Sequence, residues 1–238
     1  MQNENYSRRH FVRQSLTYTT VALASGLFVA SKRTAFADEE TALTPAEGLA
    51  ELQAGNERYV TGTHTHHDYG PEREELAETQ KPFAMIVSCA DSRVSPELAF
   101  DQSRGRLFVV RVAGNFVDDN GLASLEYGAA VLGSQLIMVL GHTNCGAIKA
   151  AIDVVTKGTT LPGHLPGLVD NLKPAVEKAK AESGSGSLLD NTTRDNVLLT
   201  MQKLQTSQPV LAPLVEQNKL KVVGGIYDLT TGKVNLIS

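Results

Sequence analysis

Hydrophobic and polar positions alternate along this chain in two rhythms. Unbroken apolar runs at Phe83–Ser88 (FAMIVS), Leu107–Val112 and Gln135–Gly141 (QLIMVLG) have the pattern of strands buried on both faces. Helical patterns surround them. Thr44-Pro45-Ala46-Glu47 is a capping box with proline at the first helical position, which predicts a helix to about Val60. Asp119-Asn120-Gly121 opens a helix through about Leu132, and Cys145-Gly146 opens another to about Val155. Gly158–Gly167, rich in glycine and proline, reads as a loop. Helices resume over Leu168–Ala181 and Asn191–Leu204 with Ser183–Ser187 (SGSGS) as the break, and Pro209 opens a short helix toward Asn218. Lys221–Leu229 and Lys233–Ile237 read as strands joined by Thr230-Thr231-Gly232. There is no internal repeat. Strands alternating with helices predict an α/β fold with a central, mostly parallel β-sheet flanked by helices.

Composition narrows the partners. The 238 residues are 42% hydrophobic and 20% charged, without tryptophan, enough for one substantial core. Net charge is −4, yet the first 37 residues carry Arg8, Arg9, Arg13, Lys32 and Arg33 against Glu4 alone. Removing that +4 leader leaves a body of −8, which argues against nucleic acid or an anionic membrane as partner. A small anionic substrate is still compatible, because one arginine can dominate a cleft. The leader itself reads as an address. Ser7-Arg8-Arg9-His10-Phe11-Val12-Arg13 resembles the twin-arginine export motif, and a mildly apolar stretch, Leu16–Ala30, leads to a small-x-small cleavage site at Ala35-Phe36-Ala37. The expected organisation is a signal peptide over 1–37 and a single domain over 38–238, exported to the periplasm or an equivalent lumen. Thr17, Thr19, Thr20, Ser25 and Gly26 interrupt the apolar stretch, so no stable membrane insertion is expected after cleavage. The polar stretch Thr61–Gly70, with His64, His66 and His67, reads as a solvated loop.

Two clusters carry the chemistry: Cys89-Ala90-Asp91-Ser92-Arg93 and His142-Thr143-Asn144-Cys145-Gly146. Each sits where a buried strand runs out, the place where open α/β sheets put their ligands. Two thiolates and an imidazole are the donor set zinc prefers, with one tetrahedral position left over. Cys145 falls at a helix N-terminus, where the dipole favours a thiolate. Gly146 would let the backbone approach closely. Competing readings of the same cysteines are a disulfide formed after export and two inert buried thiols. A phosphatase-like loop does not fit, because only three residues separate Cys89 from Arg93.

With those residues in view, the chain from about Thr44 to Leu236 resembles a β-class carbonic anhydrase. The resemblance rests on C-x-D-x-R at Cys89, Asp91 and Arg93 and on H-x-x-C-G at His142, Cys145 and Gly146. Ala113-Gly114-Asn115, Ser124-Leu125-Glu126-Tyr127-Gly128 and the tail Gly225–Gly232 agree with it. It implies reversible hydration of carbon dioxide to bicarbonate and a proton by hydroxide generated on Zn2+. One ion per chain would be held by Cys89, His142 and Cys145. Asp91 and Arg93 would be the catalytic pair. Gln80, Phe108, Ala113, Tyr127 and Gly146 would line the substrate pocket. It also implies a homodimer or homotetramer in which Gln80, Phe108 and Tyr127 serve the neighbouring subunit's zinc.

Members of that family exist in two states, one with water on zinc and one with the aspartate in its place. The second is associated with a bicarbonate pocket that uses a tryptophan where this chain has Ile86, although Arg111 matches that pocket's arginine. The expectation is therefore an open zinc and no such pocket. Two rivals remain. A carbon disulfide or carbonyl sulfide hydrolase would share these ligands. A zinc scaffold without turnover would be expected to close its fourth position with a protein ligand.

Overall fold

The structure, a computed structural model, describes residues 43–182 and 186–237; the leader over 1–37 lies outside them. In chain order the elements are α1 (Pro45–Thr61), α2 (Glu72–Glu78), β1 (Ala84–Ser88), α3 (Pro96–Ala99), β2 (Leu107–Arg111), α4 (Asp119–Ala130) and β3 (Leu136–His142). They continue as α5 (Gly146–Lys157), α6 (Leu165–Asp170), α7 (Lys173–Ala181), α8 (Leu188–Gln205), α9 (Leu211–Glu216), β4 (Lys221–Tyr227) and β5 (Val234–Ile237). Among the described residues, no helix is long and apolar enough to cross a membrane.

The five strands form one sheet in the order β2-β1-β3-β4-β5. All neighbours are parallel except the β4–β5 hairpin. From β1 the chain crosses one way to β2 and then back over β1 to β3, so the topological switch point lies between β1 and β3. That is where an α/β sheet opens a crevice at its carboxyl edge. Cys89 follows β1 directly and His142 closes β3.

Alternating side chains of the central strands fill two separate cores. Ile86, Met138 and Leu140 pack with Leu52 of α1 on one face, while Met85, Val87, Ile137 and Val139 pack with Val197 of α8 on the other. Both faces of β1 and β3 are thus covered, as their unbroken apolar runs require. A third cluster joins Cys89 and Cys145 to Phe116, Ile148 and Leu172, so the two thiols rest on their own apolar bed.

Local chemistry sets the element ends. The Thr44 capping box forms as read, with Thr44 N–H donating to Glu47 Oε2 at 2.9 Å and Glu47 N–H to Thr44 Oγ1 at 3.3 Å. Cys145 is the N-cap of α5.

Five expectations change. β2 is not buried on both faces, because it is the sheet's edge and its last residue, Arg111, is exposed. The helix expected over Leu168–Ala181 is two, α6 and α7, broken at Asn171-Leu172 just ahead of Pro174 in the first turn of α7. α9 starts at Leu211, after Pro209, and β4 ends at Tyr227, with Asp228 holding the turn through Thr230 and Thr231 N–H groups (2.7 and 2.9 Å). The Thr61–Gly70 stretch is pinned and not simply solvated. Thr65 donates its Oγ1 proton to Asp101 Oδ2 at 2.8 Å, and Arg58 Nε meets the same oxygen at 2.6 Å. Burial works against the Asp101 charge, but Arg58 and Thr65 outweigh it, and its pKa is lowered.

Candidate metal centre

Cys89, His142 and Cys145 converge at the switch point, with one donor atom from each lying within 4.8 Å of the others. All three side chains are buried. The two Sγ atoms are 4.0 Å apart and both cysteines are free, far beyond the ~2.05 Å of a disulfide. His142 Nδ1 meets the Thr143 carbonyl at 2.9 Å. A proton on that nitrogen leaves the Nε2 lone pair facing the thiols. Nε2 is buried and has no hydrogen-bond partner, an orphaned acceptor of the kind that native interiors avoid.

The thiols are prepared for a cation. Gly114 N–H donates to Cys89 Sγ at 3.3 Å. Gly114 adopts φ +92, and a Cβ there would meet Leu172 Cδ1 at 2.9 Å, so the turn that aims this N–H needs glycine. The hydrogen bond from Cys145 holds Cys89 well below the ordinary thiol range, at about 4, with His142 and Gly114 adding to it. Cys145 is pushed up, first by Cys89 beside it and then by burial, although the α5 N–H groups of Ile148 and Ala147 pull the other way. One thiolate comes readily here. The second proton is released when a cation takes both sulfurs. Two soft sulfurs, one unpartnered imidazole nitrogen and a helix N-terminus therefore fit Zn2+.

Asp91 stands beside the triad with Oδ2 3.9 Å from His142 Nε2. Arg93 grips it with Nε on Oδ1 (2.9 Å) and Nη2 on Oδ2 (2.7 Å), and the Arg93 N–H adds a third bond to Oδ1 at 3.0 Å. This bidentate grip holds the Asp91 carboxyl far below the usual carboxylate range. Both oxygens point toward the guanidinium, so the carboxylate is beside the donor set without belonging to it.

The remaining expected residues divide. Gly146 opens α5 next to Cys145, and a Cβ there would meet nothing within 4 Å. The close backbone approach expected of it is absent within the chain; the space before it is open. Ala113 precedes the Gly114 that donates to Cys89. Gln80 and Tyr127 line a separate cleft of about 570 Å³ with Leu76, Thr79 and Arg104, and no residue of the triad or the Asp91–Arg93 pair borders it. Phe108 stacks obliquely on Tyr127, ring centroids 6.4 Å apart. Within one chain, this group is not part of the metal centre. Sequence reading missed Gly114 N–H and the Thr143 carbonyl as supports, since main-chain groups carry no residue signature.

A covered, mainly parallel sheet brings two sulfur donors and one nitrogen donor together at its switch point, with a carboxylate tethered to Arg93 beside them. Together these features define a mononuclear zinc enzyme of the α/β class. The protein family described as carbonic anhydrase matches residues 84–234. A carbonic anhydrase of Mycolicibacterium smegmatis is 35% identical over 195 residues, covering 82% of this chain and 94% of the relative. Carbonic anhydrase 2 of Mycobacterium tuberculosis is 36% identical over 193 residues, covering 81% and 92%. Among solved structures, the β-carbonic anhydrase CcaA superposes with a TM-score of 0.62 at 27% identity over 81% of this chain and 93% of that one. A tetrameric β-carbonic anhydrase of Sordaria macrospora shares the fold, with a TM-score of 0.63 at 23% identity over 81% and 95%. The chain belongs to the β-class carbonic anhydrase family, whose members are zinc lyases.

Proposed function

We propose that this protein hydrates carbon dioxide reversibly to bicarbonate and a proton, with one Zn2+ per chain held by Cys89, His142 and Cys145. The observation that carries the reading is the buried triad with its unpartnered His142 Nε2, flanked by a carboxylate tied to Arg93. Bound there, zinc would supply a Lewis acid that brings the pKa of a water far down, to about 7.

The chain's own groups do the rest. Asp91 Oδ2 accepts the hydrogen bond of the attacking oxygen and turns its lone pair toward the carbon of the substrate. Arg93 keeps that carboxylate ionised and away from the metal, so the fourth position stays available. Gly146, with no atom within 4 Å of where a Cβ would stand, leaves room beside Cys145. The proton formed with bicarbonate passes to solvent. Stopped-flow hydration of carbon dioxide, with and without chelator, tests the assignment. Turnover that vanishes with zinc and returns on adding it supports the reading. A zinc-loaded protein inert toward carbon dioxide but active on carbonyl sulfide or carbon disulfide overturns it.

We further infer a homodimer or homotetramer. β2 is an edge strand, apolar up to Arg111; Tyr127 of α4, which stacks on Phe108 of that strand, and Val131 at the end of α4 are 47% and 65% exposed. The Gln80–Tyr127 cleft has substrate-lining residues but no metal donors of its own, which suits a site completed across an interface. An assembly of this kind has precedent in the tetrameric Sordaria macrospora relative. The twin-arginine motif supports export with cleavage after Ala37, which would leave 38–238 as the mature catalytic domain in the periplasm.

A further inference from the structure

Arg111 ends the edge strand β2 and sits opposite Ser88 in the register with β1. Its guanidinium donates from Nε to the Cys89 carbonyl at 3.0 Å, and from Nη2 to the carbonyls of Asp91 and Val94 at 2.8 Å each. All three acceptors belong to one loop, the loop that carries a sulfur donor and the Asp91–Arg93 pair. Where β1 ends, these carbonyls lose their ladder partners and need donors from elsewhere. Otherwise the loop is tied by Ala90 N–H to the Val112 carbonyl (3.2 Å) and by Val94 N–H to the Asp91 carbonyl (3.0 Å).

We propose that Arg111 is a positioning residue of the carbonic anhydrase site, fixing the 89–94 loop so that Cys89 meets the metal and Asp91 stands beside it. The inference rests on the functional reading above and deepens it. A planar fork suits the task, because Nε and both Nη2 protons reach three carbonyls from one rigid group. A lysine ammonium is a point charge on a flexible stem and does not reproduce this geometry. With those protons committed to the main chain, the same edge of the guanidinium is not free to bind an anion.

The test compares Arg111→Gln and Arg111→Lys with wild type in the zinc-loaded full chain. It measures zinc loss to excess chelator, amide exchange at Ala90 and Val94, and kcat with KM. Expected for both variants is zinc loss about 10–100-fold faster, as for lost partners of metal ligands. Faster exchange at the two amides and a fall in kcat larger than any change in KM should accompany it. If R111Q does not fold, R111K, which keeps the charge, carries the comparison. Wild-type zinc retention and exchange in R111Q would overturn the proposal. So would their full recovery in R111K, or a change confined to inhibition by bicarbonate. A zinc-loaded wild type without turnover would sink the functional reading instead, while zinc loss and amide exchange would still decide the role of Arg111.

Discussion

Arg93 donates through Nε and Nη2 to both oxygens of Asp91, which sets how that carboxylate responds to mutation and to pH. Arg93→Ala frees a competent zinc ligand beside the three donors. Activity should fall by at least about 100-fold, the upper range for disrupted supports of metal ligands, while zinc stoichiometry measured by elemental analysis stays at one. Retained turnover would remove Arg93 from the mechanism. The pH sign follows from the lowered Asp91 pKa. The stabilisation from its ionised form is complete above the unfolded value of about 3.9 and is lost only as pH falls through the lower folded value. Asp91 therefore does not titrate between pH 5 and 9, so kcat/KM should rise through that range as a single ionisation belonging to the metal site. Strong activation from about pH 7 to above 8, accompanied by a change of zinc ligands, would show Asp91 leaving the metal and contradict the open site. At this scale the donor set is legible in the sequence, because Cys89 and Cys145 are the chain's two cysteines and His142 is one of only six histidines, each set at the end of a buried apolar run beside Asp91 and Arg93 or a helix start. The supports are not. The Gly114 N–H, the Thr143 carbonyl and the carbonyls gripped by Arg111 are main-chain groups, visible only once the loop is folded.

At the scale of elements, the sequence pattern placed β1, β3 and α1 to within a residue at each end, and α4, α5 and α8 to within two or three, since each packs its apolar positions against a core. It overestimated the burial of β2, because an apolar run does not reveal whether a strand lies inside a sheet or at its edge. It also treated Thr61–Gly70 as solvated, because the buried partner, Asp101, lies far away in the chain. One close contact makes the α1 packing testable. A Cβ on Gly55 would fall 1.8 Å from the Phe100 carbonyl oxygen, so α1 cannot keep its approach to the turn after α3 with any larger residue. Gly55→Ala should cost about 1–3 kcal/mol or more, as overpacking does. At about 2–4 °C per kcal/mol for a chain of this size, the melting temperature should drop by several degrees. An unchanged melting curve would mean that α1 sits elsewhere.

For the whole molecule, the exposed Tyr127 and Val131 at the end of α4 make assembly and activity one question. Val131→Asp should shift the protein toward monomer in sedimentation velocity and lower turnover with it, if the Gln80–Tyr127 cleft completes a neighbour's site. A stable monomer with full activity would contradict that arrangement. Metal also links to folding, because the ligands come from two strand ends that meet only in the native state. Removing zinc should lower the melting temperature and returning it should restore both stability and turnover. The most direct test is X-ray absorption at the zinc edge on the active, wild-type protein, together with a count of metal per chain. Expected are one zinc per chain, two sulfurs at about 2.3 Å, one imidazole nitrogen at about 2.0–2.1 Å and one further oxygen donor. A metal-free active protein, or Cys89 and Cys145 joined as a disulfide, would contradict the account at its root.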